Sequence, residues 1–588
     1  MQYQFGPLLD DKGAIFRLWA PSQPGVNLLL ENRRPQPMQR QDNGFWFARA
    51  DGVGPGTRYK FNIDGYEFPD PASRQQAEGA DGWSIVRASF GRAPHAQPLR
   101  PWYESIMCEV HVGTVTPEGT FRALMERLEH FRDAGYSSIE LMPINEFPGA
   151  RGWGYDSTLI FAPHHAYGTP EDLRALVDRA HELGLCVSAD VVYNHFGSVD
   201  NFVPRYAPEW FDDKIDTPWG PAVNMREAAV RQFYYENACW WLAEYDFDGL
   251  RFDAIHEIST EARDQFLGEL ARAARAIKPD AKLIVENVKN QMHWLTRRDD
   301  DTPVDYTAQW NDDYHHVLQF LVTGEKGNGY DDPNRDAVAD LEKSLADGFV
   351  HDGDSDGNGQ SDGRTRHEPA SQLPMEAFIG YLQNHDQIGN RPDGKRIVER
   401  VDADRLDFGH FVTLLSPQIP LFFMGEEAHL RCGFFFFFDL PEPFASEKRD
   451  DRYEQMEKIF QTKVEPGSLP DPQATETFEH SKLDWDAYGH DEHRKALDRF
   501  RELCALRREL IWPLSSGKCL NAWSARQGDG LIVTWQYDSG TYNMALNPTG
   551  RGVHVELSMP EPAASTGTFE RTPFGMQLGP WSALVWRS

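Results

Sequence analysis

The chain has 588 residues and a formal net charge of -32, with 40% hydrophobic and 12% aromatic residues. That apolar fraction supports several large cores and excludes global disorder, while the acidity argues against nucleic acid and anionic membrane as partners. Six scattered cysteines (Cys108, Cys186, Cys239, Cys432, Cys504 and Cys519) form no CxxC pair and no metal-ligand spacing. The N-terminus shows no basic then apolar leader. The most apolar late stretch, 411–425, is broken by Pro417, Gln418 and Pro420 and is too short for a bilayer. These features predict a soluble, cytoplasmic protein.

From Gly6 to about Phe90, short alternating runs such as AIFRLWAP, VNLLLE, GFWFARADG and TRYKFNIDG are separated by turn residues, which predicts a β-sandwich over residues 1–95. The Pro-containing stretch 91–101 reads as a linker. From Ile106 the pattern changes: IMCEV, SIELM, LCVSADVV, GLRFDAI, AKLIVE, AFIGYLQ and IPLFFMG are apolar strands interleaved with amphipathic helices. Seven or eight such units over residues 96–515 predict a (β/α)8 TIM barrel with insertions, and no Gly-rich GxGxxG turn follows the first strand to favour an open sheet. Past Ser516, LIVTWQY, TYNMALN and SALVW predict a small C-terminal β-domain over 516–588. Within the barrel, HDGDSDGNGQSDG (351–363) matches the front half of a calcium loop at Asp352, Asp354, Asp356 and Gly357. Gly363 stands where its bidentate glutamate belongs, so no metal site and no cofactor are expected.

Barrel chemistry sits at the carboxyl ends of the strands. Those ends carry Asp190, Asn194 and His195, then Arg251 and Asp253, then Glu286, then Asn384, His385 and Asp386. Any one of these could be a cap or a structural ion pair. Several carboxylates converging on one cavity suit glycoside hydrolysis, which needs one ionised carboxylate at the anomeric carbon and one protonated carboxyl at the leaving oxygen. Arg251 lies on the same strand face as Asp253, so it is expected to hold Asp253 ionised as the nucleophile. Glu286, beside apolar Val285, is expected to be the protonated acid.

DVVYNHFG (190–197), GLRFDAIH (249–256), the Glu286 strand and NHDQIGN (384–390) resemble the ordered segments of the α-amylase superfamily of glycoside hydrolases. Within it the chain is most similar to the maltooligosyltrehalose trehalohydrolase family, through CEVHVGTVTPEGTF, MPINEFPGARGWGYD, APHHAYGTPEDL, AQWNDDYHH and ETFEHSKLDW. The resemblance implies cleavage of the α-1,4 bond beside the trehalose unit of maltooligosyl trehalose, with retention and no cofactor, on substrate supplied by a maltooligosyltrehalose synthase. It implies Asp253 as nucleophile, Glu286 as acid/base and Asp386 as the third carboxylate. Sugar contacts are implied for Tyr155, His195, Arg251, His256, Asn384 and His385. Trp153, Asp156, Trp310, Asp312 and Asp313 are further candidates for contacts to trehalose or to the glucan chain, and Asp190 supports the site from behind. The aromatic run 433–439 and the acidic insertion depart from the family pattern. A glycogen branching or debranching enzyme, or an inactive glycan-binding protein on the same scaffold, are the rival readings.

Overall fold

The computed structural model describes every residue except 1–2, 92–99, 259–260, 328–329, 331, 352–372, 461–466 and 468. Most of the expected linker and all but the first residue of the calcium-like loop lie outside the described residues. Eight parallel strands close a barrel in sequence order: β1 Met107–Val110, β2 Ser138–Leu141, β3 Cys186–Val191, β4 Gly249–Phe252, β5 Lys282–Val285, β6 Ala308–Trp310, β7 Phe378–Gly380 and β8 Ile419–Phe423. Seven coincide with the apolar runs read from the sequence. The eighth, β6, is three residues long, AQW, and offers no apolar run to detect.

The helices between them begin where local chemistry permits. Thr120 accepts a hydrogen bond from the Ala123 N–H at the head of Phe121–Ala134. Thr169 and Asp172 form a reciprocal capping box before Pro170–Glu182, with Pro170 in the first turn, where its missing N–H costs nothing. The helix Asp491–Leu510 is tied to the barrel through buried Arg507, which donates to the carbonyls of Leu414, Ser416 and Gln418 at 2.9, 2.6 and 2.8 Å. One guanidinium thus satisfies several carbonyls at the entry to β8.

The N-terminal strands form two sheets. Leu8–Asp10, Gly13–Trp19, Phe45–Asp51 and Gln39–Arg40 make one; Gln36–Pro37, Asn27–Leu30, Arg58–Ile63 and Tyr66–Phe68 make the spine of the other. They pack directly on the barrel. Phe5 meets Phe233 edge-on at 5.1 Å, and the Glu236 carboxylate accepts the N–H groups of Gln4 and Phe5. At the other end a five-stranded and a three-stranded sheet follow Cys519. Trp535 donates from its indole to the Leu345 carbonyl at 3.0 Å and Tyr542 from its hydroxyl to that of Leu415 at 2.8 Å. The N-terminal sheets, the barrel and the C-terminal five-stranded sheet thereby share one apolar core, while Val555, Met576 and Leu578 of the three-stranded sheet pack in a separate cluster.

Candidate active site

Register places the site. Asp190 on β3 pairs directly with Arg251 on β4, and Arg251 with Ile284 on β5, so Asp253 and Glu286 occupy neighbouring positions just past the strand ends. The ladder continues into them: the Asp253 N–H donates to the Val191 carbonyl and the Glu286 N–H to that of Phe252, both at 3.1 Å. Because side chains alternate, Leu250 and Phe252 face the helices while Arg251 and Asp253 point inward. Arg251 has no solvent exposure. Its Nη1 donates to Asp190 at 2.7 Å and Asp253 at 2.8 Å, and its Nη2 to Glu286 at 2.6 Å. The face of the guanidinium lies 4.1 Å from the Trp310 ring centre.

This arrangement corrects the expected division of charge. Arg251 does not single out Asp253; it is shared among three carboxylates. Burial drives Asp253 well up, and the nearby Glu286 and Asp190 charges add to that against Arg251. Burial also opposes the Glu286 charge, but Arg251, His256 and the Ala254 N–H at 3.0 Å hold Glu286 below the usual carboxylate range. These surroundings favour the charged form of Glu286 over that of Asp253. The sequence could not reveal this, because which carboxylate shares the second arm of Arg251 is a matter of lateral register.

Opposite stands the short helix His385–Gly389. The Asn384 side chain caps it by accepting the Asp386 N–H at 2.9 Å, and Gln387 returns the bond to the Asn384 N–H at 3.0 Å. Asn384, expected to touch sugar, therefore spends its carbonyl oxygen on the cap. Asp386 remains substantially exposed, with Asn390 donating to it at 3.1 Å. His385 is gripped by Glu109 of β1, which takes its Nδ1 at 2.5 Å and its backbone N–H at 2.9 Å. Burial alone would depress the His385 pKa; the Glu109 carboxylate outweighs it and raises it to about 9.

Around this centre the other predicted residues separate into two groups. Tyr155 donates to Asp190 at 2.7 Å and stacks on His385. His195 bonds Asn194 through Nδ1, is pushed by burial to about 4, and so presents a neutral imidazole. His256 lies partly buried within the field of Glu286. Asp312 accepts the Tyr381 hydroxyl, and burial together with Glu286 raises it to about 7. Asp156 is ion-paired with Lys448. Trp153 and Asp313 are engaged by the surrounding structure, Trp153 also edge-on against His385 at 5.3 Å. Trp153 is buried, stacked on Phe434 and donating to the Phe435 carbonyl, and Gly389 is the one residue small enough to lie against its ring. Asp313 accepts the N–H groups of Val350 and His351 and the Asn290 amide, anchoring the root of the insertion.

Sequence reasoning missed four elements. Glu109 and Glu140 are inward-facing on β1 and β2; with the strands in hand, their position would have marked them. Both Glu140 oxygens are buried without a hydrogen bond beneath the cluster, and burial raises its pKa well above the usual range. Trp219, 40% exposed, stacks on His195 at 4.1 Å from an excursion between the strands Phe211–Thr217 and Gly220–Val223. The helix Phe444–Phe460 leans on the rim through Lys448 and through Arg452, which donates to Asn390 and to the Gly389 carbonyl. Away from the cluster, Glu146, His164 and His165 come within metal-binding distance of one another, although no spacing in the sequence suggested a metal site.

A family model described as Alpha amylase, catalytic domain, matches residues 68–218, and one described as Carbohydrate-binding module 48 (Isoamylase N-terminal domain) matches 4–83. A malto-oligosyltrehalose trehalohydrolase from Saccharolobus solfataricus is 34% identical over 556 residues, covering 93% of this chain and 94% of that protein. The crystal structure of a protein from Salmonella typhimurium superposes with a TM-score of 0.92 at 35% identity, over 100% of both chains. A 1,4-alpha-glucan branching enzyme from Streptomyces coelicolor reaches 34% identity over 41% of this chain and 36% of its own.

The Glu109–His385 pair makes stability depend on pH in a defined direction. A histidine whose folded pKa is raised stabilises the fold fully below its ordinary value and progressively less as pH rises through about 9. Glu109→Gln should therefore lower the melting temperature more at about pH 6 than at about pH 10, with a loss of roughly 3 kcal/mol at the acid end, from ~1.4 kcal/mol per pKa unit. Equal deficits at both pH values would show that the pair is not a charged one.

Proposed function

Because this chain belongs to the malto-oligosyltrehalose trehalohydrolases, a family of α-amylase-type glycoside hydrolases, we propose that it cleaves the α-1,4 bond next to the trehalose unit of maltooligosyl trehalose. The observation that carries the chemistry is the sharing of one buried Arg251 by Asp190, Asp253 and Glu286, with Asp386 facing them. Neighbouring positions on strands ~4.8 Å apart suit the ~5 Å carboxyl separation of retaining glycosidases rather than the ~6.5–9.5 Å of inverting ones.

Asp253 is the nucleophile and Glu286 the acid/base. Any proton that the pair shares must pass to Glu286 when the glycosidic oxygen takes its place beside that carboxyl. Both groups bond to one guanidinium, so this is a short transfer at constant total charge. Attack by Asp253 on the anomeric carbon forms the glycosyl ester and removes its charge as Glu286 gives its proton to the departing sugar. Arg251 then stabilises the Glu286 carboxylate, now poised as the base that activates water. Asp386, whose carboxyl burial pushes up against the pull of His385, binds hydroxyls of the ring being distorted. Neutral His195 serves as a hydrogen-bond partner for a hydroxyl, and the exposed face of Trp219 stacks on a sugar ring.

The substrate reading rests on the relatives' name, and a maltooligosyltrehalose synthase is the activity that supplies it. A cytoplasmic setting is consistent with six cysteines that form no disulfide. No helix among the described residues is long and apolar enough to cross a membrane.

Incubation with maltotriosyl trehalose and, separately, with plain maltooligosaccharides should release trehalose from the first and leave the second largely intact on chromatography. New α-1,6 branches, or linear chains freed from glycogen, would instead identify a branching or debranching enzyme. No turnover of any glucan would leave a binding protein. Glu286→Gln should lower kcat by roughly 10²–10⁴-fold with KM changed little, since a positioned acid/base contributes in that range. A kcat within about tenfold of wild type would remove Glu286 from its role.

A further inference from the structure

A second constellation lies off the catalytic cluster. The short strand Asn145–Glu146 pairs antiparallel with Leu159–Pro163, and the chain turns from Pro163 directly into His164 and His165. The hairpin thus returns two imidazoles to one carboxylate. Glu146 Oε1 stands 3.2 Å from His164 Nδ1 and 2.7 Å from His165 Nδ1, and the three ligand atoms fall within 4.8 Å of one another. The other oxygen, Oε2, accepts the His165 N–H at 2.9 Å, which fixes the plane of the carboxylate. Phe147 stacks on the His164 ring at 3.7 Å and holds its rotamer.

The side chains of Glu146 and His164 have no exposure, and the carboxylate has no Lys or Arg among its ion pairs. His164 faces Glu146 with Nδ1, while the Ala150 carbonyl also faces the ring and Nε2 makes no well-formed hydrogen bond. A cation between Nδ1 and Oε1 would be held by both atoms, leaving Nε2–H free to turn toward a carbonyl, the usual outer-shell arrangement of a metal-bound histidine.

We propose that Glu146, His164 and His165 bind a divalent transition-metal ion, zinc by donor set, through two imidazole nitrogens and one carboxylate oxygen, with a fourth position open on the partly exposed His165 side. Tetrahedral zinc with ~2.0–2.1 Å bonds sets its donor atoms roughly 3.3 Å apart. The His164 spacing already fits, and the His165 ring needs to withdraw by about half an ångström. The ion closes the base of a hairpin that carries Trp153, Tyr155 and Asp156 on its loop, and so it braces the segment that delivers Tyr155 to Asp190. A Cβ built on Gly79 would lie 3.5 Å from His165 Cε1, so the N-terminal sheets close over the same ring. None of Asp253, Glu286 or Asp386 is a ligand, and no catalytic step passes through the site.

The test uses the full chain, stripped with chelator and dialysed, then titrated with zinc chloride by calorimetry and with cobalt(II) by visible absorption. One tight equivalent per chain is expected, with d–d bands on cobalt binding and a melting temperature that rises with zinc concentration. His165→Ala and the isosteric Glu146→Gln should each weaken binding by roughly a hundredfold or more and abolish the melting shift. Retained glycosidase turnover in both variants will confirm that they fold. Equal zinc stoichiometry and affinity in wild type and both variants, or no zinc-dependent melting shift in wild type, would overturn the proposal and leave a hydrogen-bonded triad.

Discussion

One guanidinium with no exposure to solvent, ringed by Asp190, Asp253 and Glu286, is the constraint on which the upper layer of this barrel depends. Taking an arginine and three carboxylates out of water is costly, and the cost is offset only if each charge meets a partner at hydrogen-bonding distance. At ~4 Å and an effective dielectric near 20, each such contact is worth about 4 kcal/mol of Coulomb attraction. Removal of Arg251 leaves like charges facing one another; removal of a carboxylate shifts the proton balance of the rest. Trp310 supports the flat face of the guanidinium from below, so the cation is fixed both by charge and by packing.

The same constraint explains the grading of proton affinity across the cavity. Burial without a hydrogen bond raises Glu140 beneath the cluster, and burial raises Asp253, while Arg251 and its neighbours hold Glu286 low. On the far wall, Glu109 keeps His385 positive, and that charge sits beside Asp386. The carboxylates on the Arg251 fork and the Glu109–His385–Asp386 wall thus form two separate electrostatic groups.

Much of this was legible in the chain. Apolar runs marked seven strands, and period-two alternation already placed Arg251 and Asp253 on one face. The remainder was hidden for physical reasons. A three-residue strand such as Ala308–Trp310 has no pattern to read, yet it supplies the platform under Arg251. The pairing of Glu109 with His385 spans 276 positions and follows only from barrel closure. The claim of Glu286 on Arg251 depends on the stagger between β4 and β5, and the place of Trp219 over His195 on a hairpin excursion with no periodic signal. Glu146 and the His164–His165 pair meet only because a hairpin folds back. Asn384 and Trp153 were read by motif as sugar contacts, but local backbone needs, a helix cap and a packed indole, claimed them first.

The account turns on Asp253 forming a covalent bond to sugar. The direct measurement is peptide mass mapping of the Glu286→Gln variant after reaction with an α-maltosyl fluoride, whose leaving group needs no acid. The ester should then accumulate, because the base for its hydrolysis is gone. A glycosyl adduct on the peptide containing Asp253, and on no other, is the predicted result. An adduct on Asp190 or Asp386, or fluoride release with no adduct and inverted product, would contradict it.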